Sequence, residues 1–330
     1  PVGLVGFLPG ERQTTIALIA DDVDAVTLSG SPRAGDAVRL AVAARPTPVR
    51  LQAELGGNNA AIVWSDIDVA DAAKKIADGA LKFAGQRCTA NRRAIVHRPA
   101  HAAFVAALER EVAALTWGDP RDPATQIGPV VSAESRDRVL AIIDRARAAG
   151  ATILQPHARP PDIAGAWAPP TIAIVTDPAC EIAREETFGP VIVVLAADDE
   201  DHALALVNGV RQGLVAALFG GSEAFRARFL AEAEAGTVKL DRPTTDAGTE
   251  APFGGWKASG IGPPEHERGN REFFSRTQSV VVPPGLAAVA RRQPDRPAVV
   301  IDHPDGARVT TYAELDRLAS RLARMMAGAS

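Results

Sequence analysis

The sequence predicts an α/β fold with parallel sheets, and three observations carry that expectation. Short β-branched or apolar runs alternate with amphipathic stretches of about 10–15 residues. Several of these elements end on glycine. One run, 191–195 (VIVVL), is apolar without interruption, as a strand covered on both faces must be.

Taken in order, residues 23–30 (VDAVTLSG) read as a buried strand closing on Ser29-Gly30. Residues 49–55 (VRLQAEL) alternate apolar and polar side chains and stop at Gly56-Gly57. From Asp68 to Phe83 the period becomes helical, with Val69, Ala72, Ala73, Ile76 and Ala80 on one face. A strand follows at 93–98 (RAIVHR). Phe104, Leu108, Val112 and Leu115 then form the apolar stripe of a helix starting near His101. Ser132 is placed to cap a helix that runs to Ala149 and stops at Gly150. Residues 155–170, rich in Pro and Ala, read as a loop. After the strand at 191–195, Asp198 or Asp199 opens a helix through Val207.

The pattern changes at Pro283-Pro284-Gly285. The remaining residues read as a helix, a strand, a turn at Asp305-Gly306, a second strand and a second helix, too few to bury a full core alone. They are expected to open a further domain.

Composition excludes several function classes. The 330 residues are 46% hydrophobic and 23% charged, ordinary for a globular protein, and the net charge of −4 gives no basic footprint for nucleic acid. No apolar run is long enough to span a bilayer, and the opening PVGLVGFLPG lacks the basic start of a signal peptide. Two cysteines, Cys88 and Cys180, cannot form a disulfide framework, which points to a reducing, cytoplasmic setting. The six histidines (97, 101, 157, 202, 266 and 303) show no metal-ligand spacing, so no metal is expected.

Chemistry concentrates at two places. In GQRCT, Cys88 follows a helix-like run, and Gly85 permits close backbone approach. A thiol needs a lowered pKa or a nearby base to attack a carbonyl at neutral pH. The candidate base is Glu54 of ELGG, one strand–helix excursion upstream, where two glycines let the chain turn and expose the carboxylate. Alone, such a cysteine is an ordinary small hydrophobe and such a glutamate a solvated turn residue.

Five stretches in order resemble the aldehyde dehydrogenase superfamily: SGS at 29–31, ELGGN at 54–58, GQRCT at 85–89, EETFGPV at 185–191 and PFGGWKASGIG at 252–262. The resemblance covers residues 1–282. It implies a partial doubly wound dinucleotide-binding domain at 1–55 and an α/β catalytic domain of the aldehyde dehydrogenase type at 56–258. A return segment and oligomerisation strand would occupy 259–282, with 274–282 as an exposed strand. Cys88 is then the nucleophile, giving a thiohemiacetal and a thioester, its own N–H donating to the oxyanion. Glu54 is the base that activates the hydrolytic water, in contrast to CoA-acylating members, which tend to lack this glutamate.

The resemblance also implies NAD as cofactor, with NADP left open. Gly30 and Ser31 would lie at the dinucleotide phosphates, Glu186 at the nicotinamide ribose, Phe188 beside the nicotinamide and Leu55 near its carboxamide. Read without the family, Glu186 is an acid at a strand entrance and Phe188 ordinary core. Lys257 and Ser259 would fix a loop near the substrate mouth, which Phe253 would line. Cys180 matches no motif and reads as packing. The implied substrate is an aldehyde, closest in context to a small semialdehyde, and the parent protein is expected to be a homo-oligomer without nucleic-acid or membrane partners.

The departures from the family pattern imply a chain that starts well inside the family plan, without the oxyanion asparagine and the lysine for the adenosine ribose. Residues 283–330, in RQPDRPAVVIDHPDGARVTTYAELDRLASRLA, are similar to the start of an AMP-forming acyl-CoA synthetase or adenylation domain, without its ATP-binding motifs. A dehydrogenase–ligase fusion is one expectation. An inactive fragment of such a fusion, or a ligase-like tail with an accessory front, are the others.

Overall fold

Alternation of strand and helix is realised as parallel pairing. The computed structural model describes residues 5–157, 160–245, 248, 250–279, 285–301 and 306–327, which divide into two units, 1–275 and 276–330. The first unit begins with α1 (Arg12–Ala20), β1 (Ala25–Ser29), α2 (Pro32–Ala43) and β2 (Arg50–Glu54). β1 and β2 pair in parallel from Ala25↔Arg50 to Ser29↔Glu54, so both strands end on the same edge. Ser31 caps α2, its Oγ accepting from the Ala34 N–H at 3.2 Å, with Pro32 opening the helix.

The larger sheet follows. β3 (Ala60–Val63), α3 (Val69–Leu81), β4 (Arg93–His97), α4 (Arg98–Ala114), α5 (Ala133–Ala148), β5 (Thr152–Leu154) and β6 (Thr171–Ile174) lead to α6 (Glu181–Arg184) and β7 (Val191–Ala197). Then come α7 (Glu200–Asn208), β8 (Gln212–Gly213), β9 (Val215–Phe219), α8 (Glu223–Glu232) and β10 (Thr237–Leu240). Among the described residues seven strands form one sheet in the order β10-β9-β3-β4-β7-β6-β5, parallel throughout except for β5 against β6. Its central strands are buried on both faces. Ile62, Ile95 and Leu218 of β3, β4 and β9 lie in one core with Ile76 of α3 and Phe104 and Leu108 of α4. The expected α/β class with parallel sheets is what forms.

The chain returns through β11 (Trp256–Lys257), β12 (Gly260–Ile261) and α9 (Glu267–Phe274). β12 pairs antiparallel with β2, Gly260↔Glu54 and Ile261↔Ala53, and completes a sheet ordered β1-β2-β12. β11 pairs with β8.

Most boundaries follow their local signals. Asp68 caps α3 by accepting from Ala70 N–H, Ser132 caps α5 by accepting from Ser135 N–H, and Gly150 sits at φ +92° just past the helix. Asp199, not Asp198, caps α7, since the Asp198 carboxylate is drawn to Arg98. α4 starts at Arg98, earlier than the periodicity suggests, because Pro99 favours the first helical turn. Elements without a visible period carry no such signal, notably β3 (AAIV) and β9 (VAALF), whose runs are apolar on both faces and too short to separate strand from helix. The loop expected at 155–170 carries no strand in its described part, though Trp167 packs edge-on against Trp117 with centroids 5.7 Å apart.

Over 274–282, Phe274 is the last residue of α9, 275–279 are irregular, and 280–282 lie outside the described residues. Arg50 draws this segment into a helix end, donating to the carbonyls of Glu272 (3.1 Å) and Ser275 (2.7 Å) while standing over the ring of buried Phe273. In the second unit, α10 (Leu286–Arg292), β13 (Pro297–Ile301), β14 (Arg308–Thr311) and α11 (Tyr312–Ala327) reproduce the expected order, with β13 and β14 antiparallel. The turn expected at Asp305-Gly306 falls partly outside the described residues, and Gly306 has φ +111°.

Candidate active site

The edge where β1 and β2 end is one wall of the site. Glu54 closes β2, and its carbonyl accepts from the Gly30 N–H at 3.0 Å, so the start of α2 and the carboxylate share a strand end. Beyond Glu54 the glycine turn is held by Ser259, fully buried. Its Oγ donates to Gly56 O (2.8 Å) and accepts from Gly213 N–H (3.0 Å), and its carbonyl accepts from Leu55 N–H (2.9 Å). Lys257 donates to Asn208 O and pairs with Glu234 at 2.9 Å, as its expected loop-fixing role requires.

Glu54 is only 7% exposed, and its Oε2 is buried without a partner. Burial, reinforced by neighbouring Glu265 and opposed by the Gly255 N–H, pushes its carboxyl up to about 8. The group therefore sits near the proton affinity that suits a general base at neutral pH.

The opposite wall carries Cys88. After α3 the chain tightens through 82–85, where Phe83, Ala84 and Gly85 all take left-handed φ of 59°, 52° and 66°. Two of these are not glycine, and such backbone strain persists only where surroundings over-determine it. Here Arg92 supplies the restraint. Its guanidinium, 2% exposed, donates to the carbonyls of Gly85, Arg87 (3.2 Å) and Gly189 (2.8 Å), and stands 5.8 Å from the Phe188 ring centroid. Gly85 is required for a second reason: a Cβ there would collide with the Gly189 carbonyl. Asn59 fixes the far side, its Nδ2 donating to Cys88 O (2.7 Å) and Ala90 O (2.8 Å), and its Oδ1 accepting from Val215 N–H.

The thiol is not lowered by this environment. Burial raises it, Glu186 and then Glu54 add to the rise, and the N–H groups of Thr89 and Cys88 itself pull the other way. Those two N–H groups thus favour the thiolate form.

Glu186 approaches from the segment before β7. Its Oε1 accepts from Gly57 N–H at 3.2 Å, and a side chain on Gly56 would strike its Oε2. Burial raises this carboxyl too, offset first by Arg92. Phe188 follows at φ +46°, 36% exposed on the cleft.

All seven sequence-derived candidates, Gly30, Ser31, Glu54, Leu55, Cys88, Glu186 and Phe188, line one cleft of about 740 Å³, and Phe253 lines it with them. The structure adds residues the sequence did not announce. Glu265 lines the cleft and acts on Glu54. Arg138, which donates to Thr187 O at 2.7 Å, and Arg211, paired with Glu185 at 2.8 Å, lie on its rim. Arg92 and Asn59 brace it from behind. Their only sequence signal was proximity to GQRCT and ELGGN, since a buried arginine or asparagine looks like a surface one in a linear string. Cys180 lies away from the cleft, at the start of α6, packed against the core. Among the described residues no cluster of His, Cys, Asp or Glu could hold a metal ion, and no helix is long and apolar enough to cross a membrane.

Comparison with known proteins gives a consistent picture. A family model described as "Aldehyde dehydrogenase family" matches residues 1–280. Betaine aldehyde dehydrogenase of Agrobacterium fabrum is 37% identical over 289 residues, covering 86% of this chain and 58% of that protein. Betaine aldehyde dehydrogenase 2 of Rhizobium meliloti is 40% identical over 284 residues, with coverage of 86% and 58%. Among solved structures, Mycobacterium tuberculosis aldehyde dehydrogenase complexed with NAD+ superposes with a TM-score of 0.79 at 32% identity, over 84% of this chain and 57% of that one. Staphylococcus aureus betaine aldehyde dehydrogenase in complex with NAD+ follows at 0.71 and 32%, over 76% and 50%. The chain thus spans somewhat more than half the length of the relatives it matches.

Proposed function

The chain belongs to the aldehyde dehydrogenase family, and on that premise we propose that it oxidises an aldehyde to the carboxylic acid with NAD, using Cys88 as nucleophile and Glu54 as base. The observation that carries this reading is the convergence of Cys88, Glu54 and Glu186 on one cleft from three separate segments.

The residues present suit the dinucleotide. Gly30 and Ser31 stand at the start of α2, where the first-turn N–H groups favour phosphate. Gly56, where a side chain would strike the Glu186 carboxylate, leaves that carboxylate room to meet a ribose diol, with Phe188 and Leu55 lining the space for the nicotinamide. When bound, NAD accepts the hydride that leaves the substrate carbon. The chain's own groups do the rest. Cys88 gives its proton to Glu54, which passes it to solvent, and the thiolate adds to the aldehyde carbon, giving a thiohemiacetal whose oxygen the Cys88 N–H can stabilise. Loss of hydride leaves a thioester. Glu54 then takes a proton from water, whose oxygen attacks the thioester, releasing the acid and the thiolate. Glu54 favours water over CoA as acceptor.

We assign 1–55 to the remaining dinucleotide domain, 56–258 to the catalytic domain and 259–282 to the return segment of a homo-oligomeric parent. The substrate is proposed to be a small aldehyde. Several relatives are named for betaine aldehyde, a cation, whereas the motif context resembles members acting on semialdehydes, which bear a carboxylate. Comparing kcat/KM for betaine aldehyde, a semialdehyde and propanal separates the charge classes. NADH absorbance with propanal tests the reaction itself, and Cys88→Ala should abolish it. Full activity in that variant would remove the proposed nucleophile.

The second unit is proposed to open an adenylate-forming ligase domain, because its helix–strand–strand–helix order follows the expected pattern. Oxidation to an acid followed by activation of that acid is a coherent pair of steps. Absence of an ATP-binding motif in the gene beyond Ser330 would sink the fusion.

A further inference from the structure

Gln52 precedes Glu54 by two residues on β2, so the two side chains leave the strand on the same face. An amide in that position must find partners, because it is 1% exposed. It finds them on both sides. Its Oε1 accepts from the Thr27 hydroxyl of β1 at 3.2 Å, and its Nε2 donates to Pro263 O (3.2 Å) and Pro264 O (3.0 Å), with Asn270 Oδ1 at 3.5 Å.

Those two prolines form the turn between β12 and Glu265. Lacking N–H groups, they cannot tie the turn to a neighbouring strand by donating; their carbonyls are the backbone hydrogen-bonding groups available there. Directly after them, Glu265 enters a backbone bridge with Phe253 (2.9 and 2.6 Å) and lines the cleft with Glu54. Pro264 also packs where a side chain on Gly254 would sit, 2.8 Å from that ideal Cβ, and the same position lies 3.2 Å from Glu54 Oε1. The turn that Gln52 grips is therefore the one that brings a second carboxyl to the base.

We infer that Gln52 is a positioning residue for the base: by holding the Pro263 and Pro264 carbonyls, it keeps Glu265 against Glu54. The inference rests on reading Glu54 as the base and assigns the arrangement of that base to a side chain outside the cleft. The charged group acting on Glu54 is Glu265 from the turn, with the Gly255 N–H donating to it, and Glu54 in turn raises the Cys88 thiol. Removing the grip lets Glu265 move away, and Glu54 then loses its proton at lower pH.

The test reads the protonation of Glu54 directly and does not depend on turnover. The infrared band of the protonated carboxyl, identified as the one missing in Glu54→Gln, is followed against pH in the full chain. Glu265→Gln should move the midpoint down by roughly one unit. Gln52→Leu should move it in the same direction, and should add nothing when combined with Glu265→Gln. A purely structural role would shift the midpoint equally in both backgrounds, which overturns the inference, as does an unchanged midpoint in Gln52→Leu. Should Gln52→Leu fail to fold, Thr27→Val releases only the Oε1 end of the amide. It should give a smaller shift of the same sign, again absent beside Glu265→Gln, and no shift at all would refute the inference. A Glu54→Gln enzyme with full activity would instead remove the reading of Glu54 as base while leaving the positioning result standing.

Discussion

At the scale of single residues, the protonation of Glu54 governs what the site does at a given pH. As the proposed base, Glu54 must be ionised to take a proton from water, and burial, with Glu265 beside it, holds it up to about 8. Thioester hydrolysis should therefore rise as pH rises through about 8 and fall away on the acid side. Stopped-flow NADH traces should show a burst followed by a slow steady state below that value, and Glu54→Gln should keep the burst and lose the pH-dependent limb. Arg92 is the other decisive residue. Burial draws it down to about 10, yet it stays charged at neutral pH and donates to three carbonyls, of which Arg87 O also accepts from Ala90 N–H and Gly189 O from Val191 N–H. Arg92→Met should cost about 1–3 kcal/mol, chiefly through the Gly85 carbonyl left buried and unpaired; urea unfolding measures it. That Cys88 and Glu54 are candidates was legible because motif residues announce themselves by type and order, and both line the cleft. Arg92, Asn59 and Glu265 were not, because their importance lies in carbonyls and carboxyls brought to them by remote segments.

At the scale of elements, the site is built where strands end. Parallel pairing of β1 with β2 puts Gly30 and Glu54 on one edge, the position where ligands bind in open α/β sheets. Caps at Asp68, Ser132 and Asp199 explain why those helices could be read directly: each signal is a side chain bonding to a backbone N–H two or three residues away. Short return strands carry no such local signal. β11 and β12 are two residues each and exist because β8 and β2 offer free edges. Ser259, between them, is the clamp. Ser259→Ala leaves Gly56 O and Gly213 N–H unpaired and should destabilise by about 1–3 kcal/mol. It should also lower kcat, since the turn carrying Glu54 loosens. Thermal unfolding and steady-state kinetics on the one variant check both, and an unaltered melting temperature would contradict the clamp.

At the scale of the whole molecule, the raised carboxyl of Glu54 links catalysis to stability. Its folded value lies above the ordinary 4.5, so the native state holds a proton that the unfolded chain releases between 4.5 and about 8. The associated stabilisation is fully present below 4.5 and is lost as pH rises through about 8. The melting temperature of the wild type relative to Glu54→Gln should accordingly fall across that window, and a constant difference would mean that Glu54 titrates normally. What the sequence by itself determined was the α/β class, the capped helices, the family and the seven candidate residues, because period, caps and motifs act over a few neighbouring positions. Tertiary structure alone decided that those seven share a cleft, that an arginine behind them braces the strained loop before Cys88, and that a proline turn more than two hundred residues from Gln52 accepts its hydrogen bonds. Such facts depend on which strand ends meet in space, and no local pattern encodes that meeting.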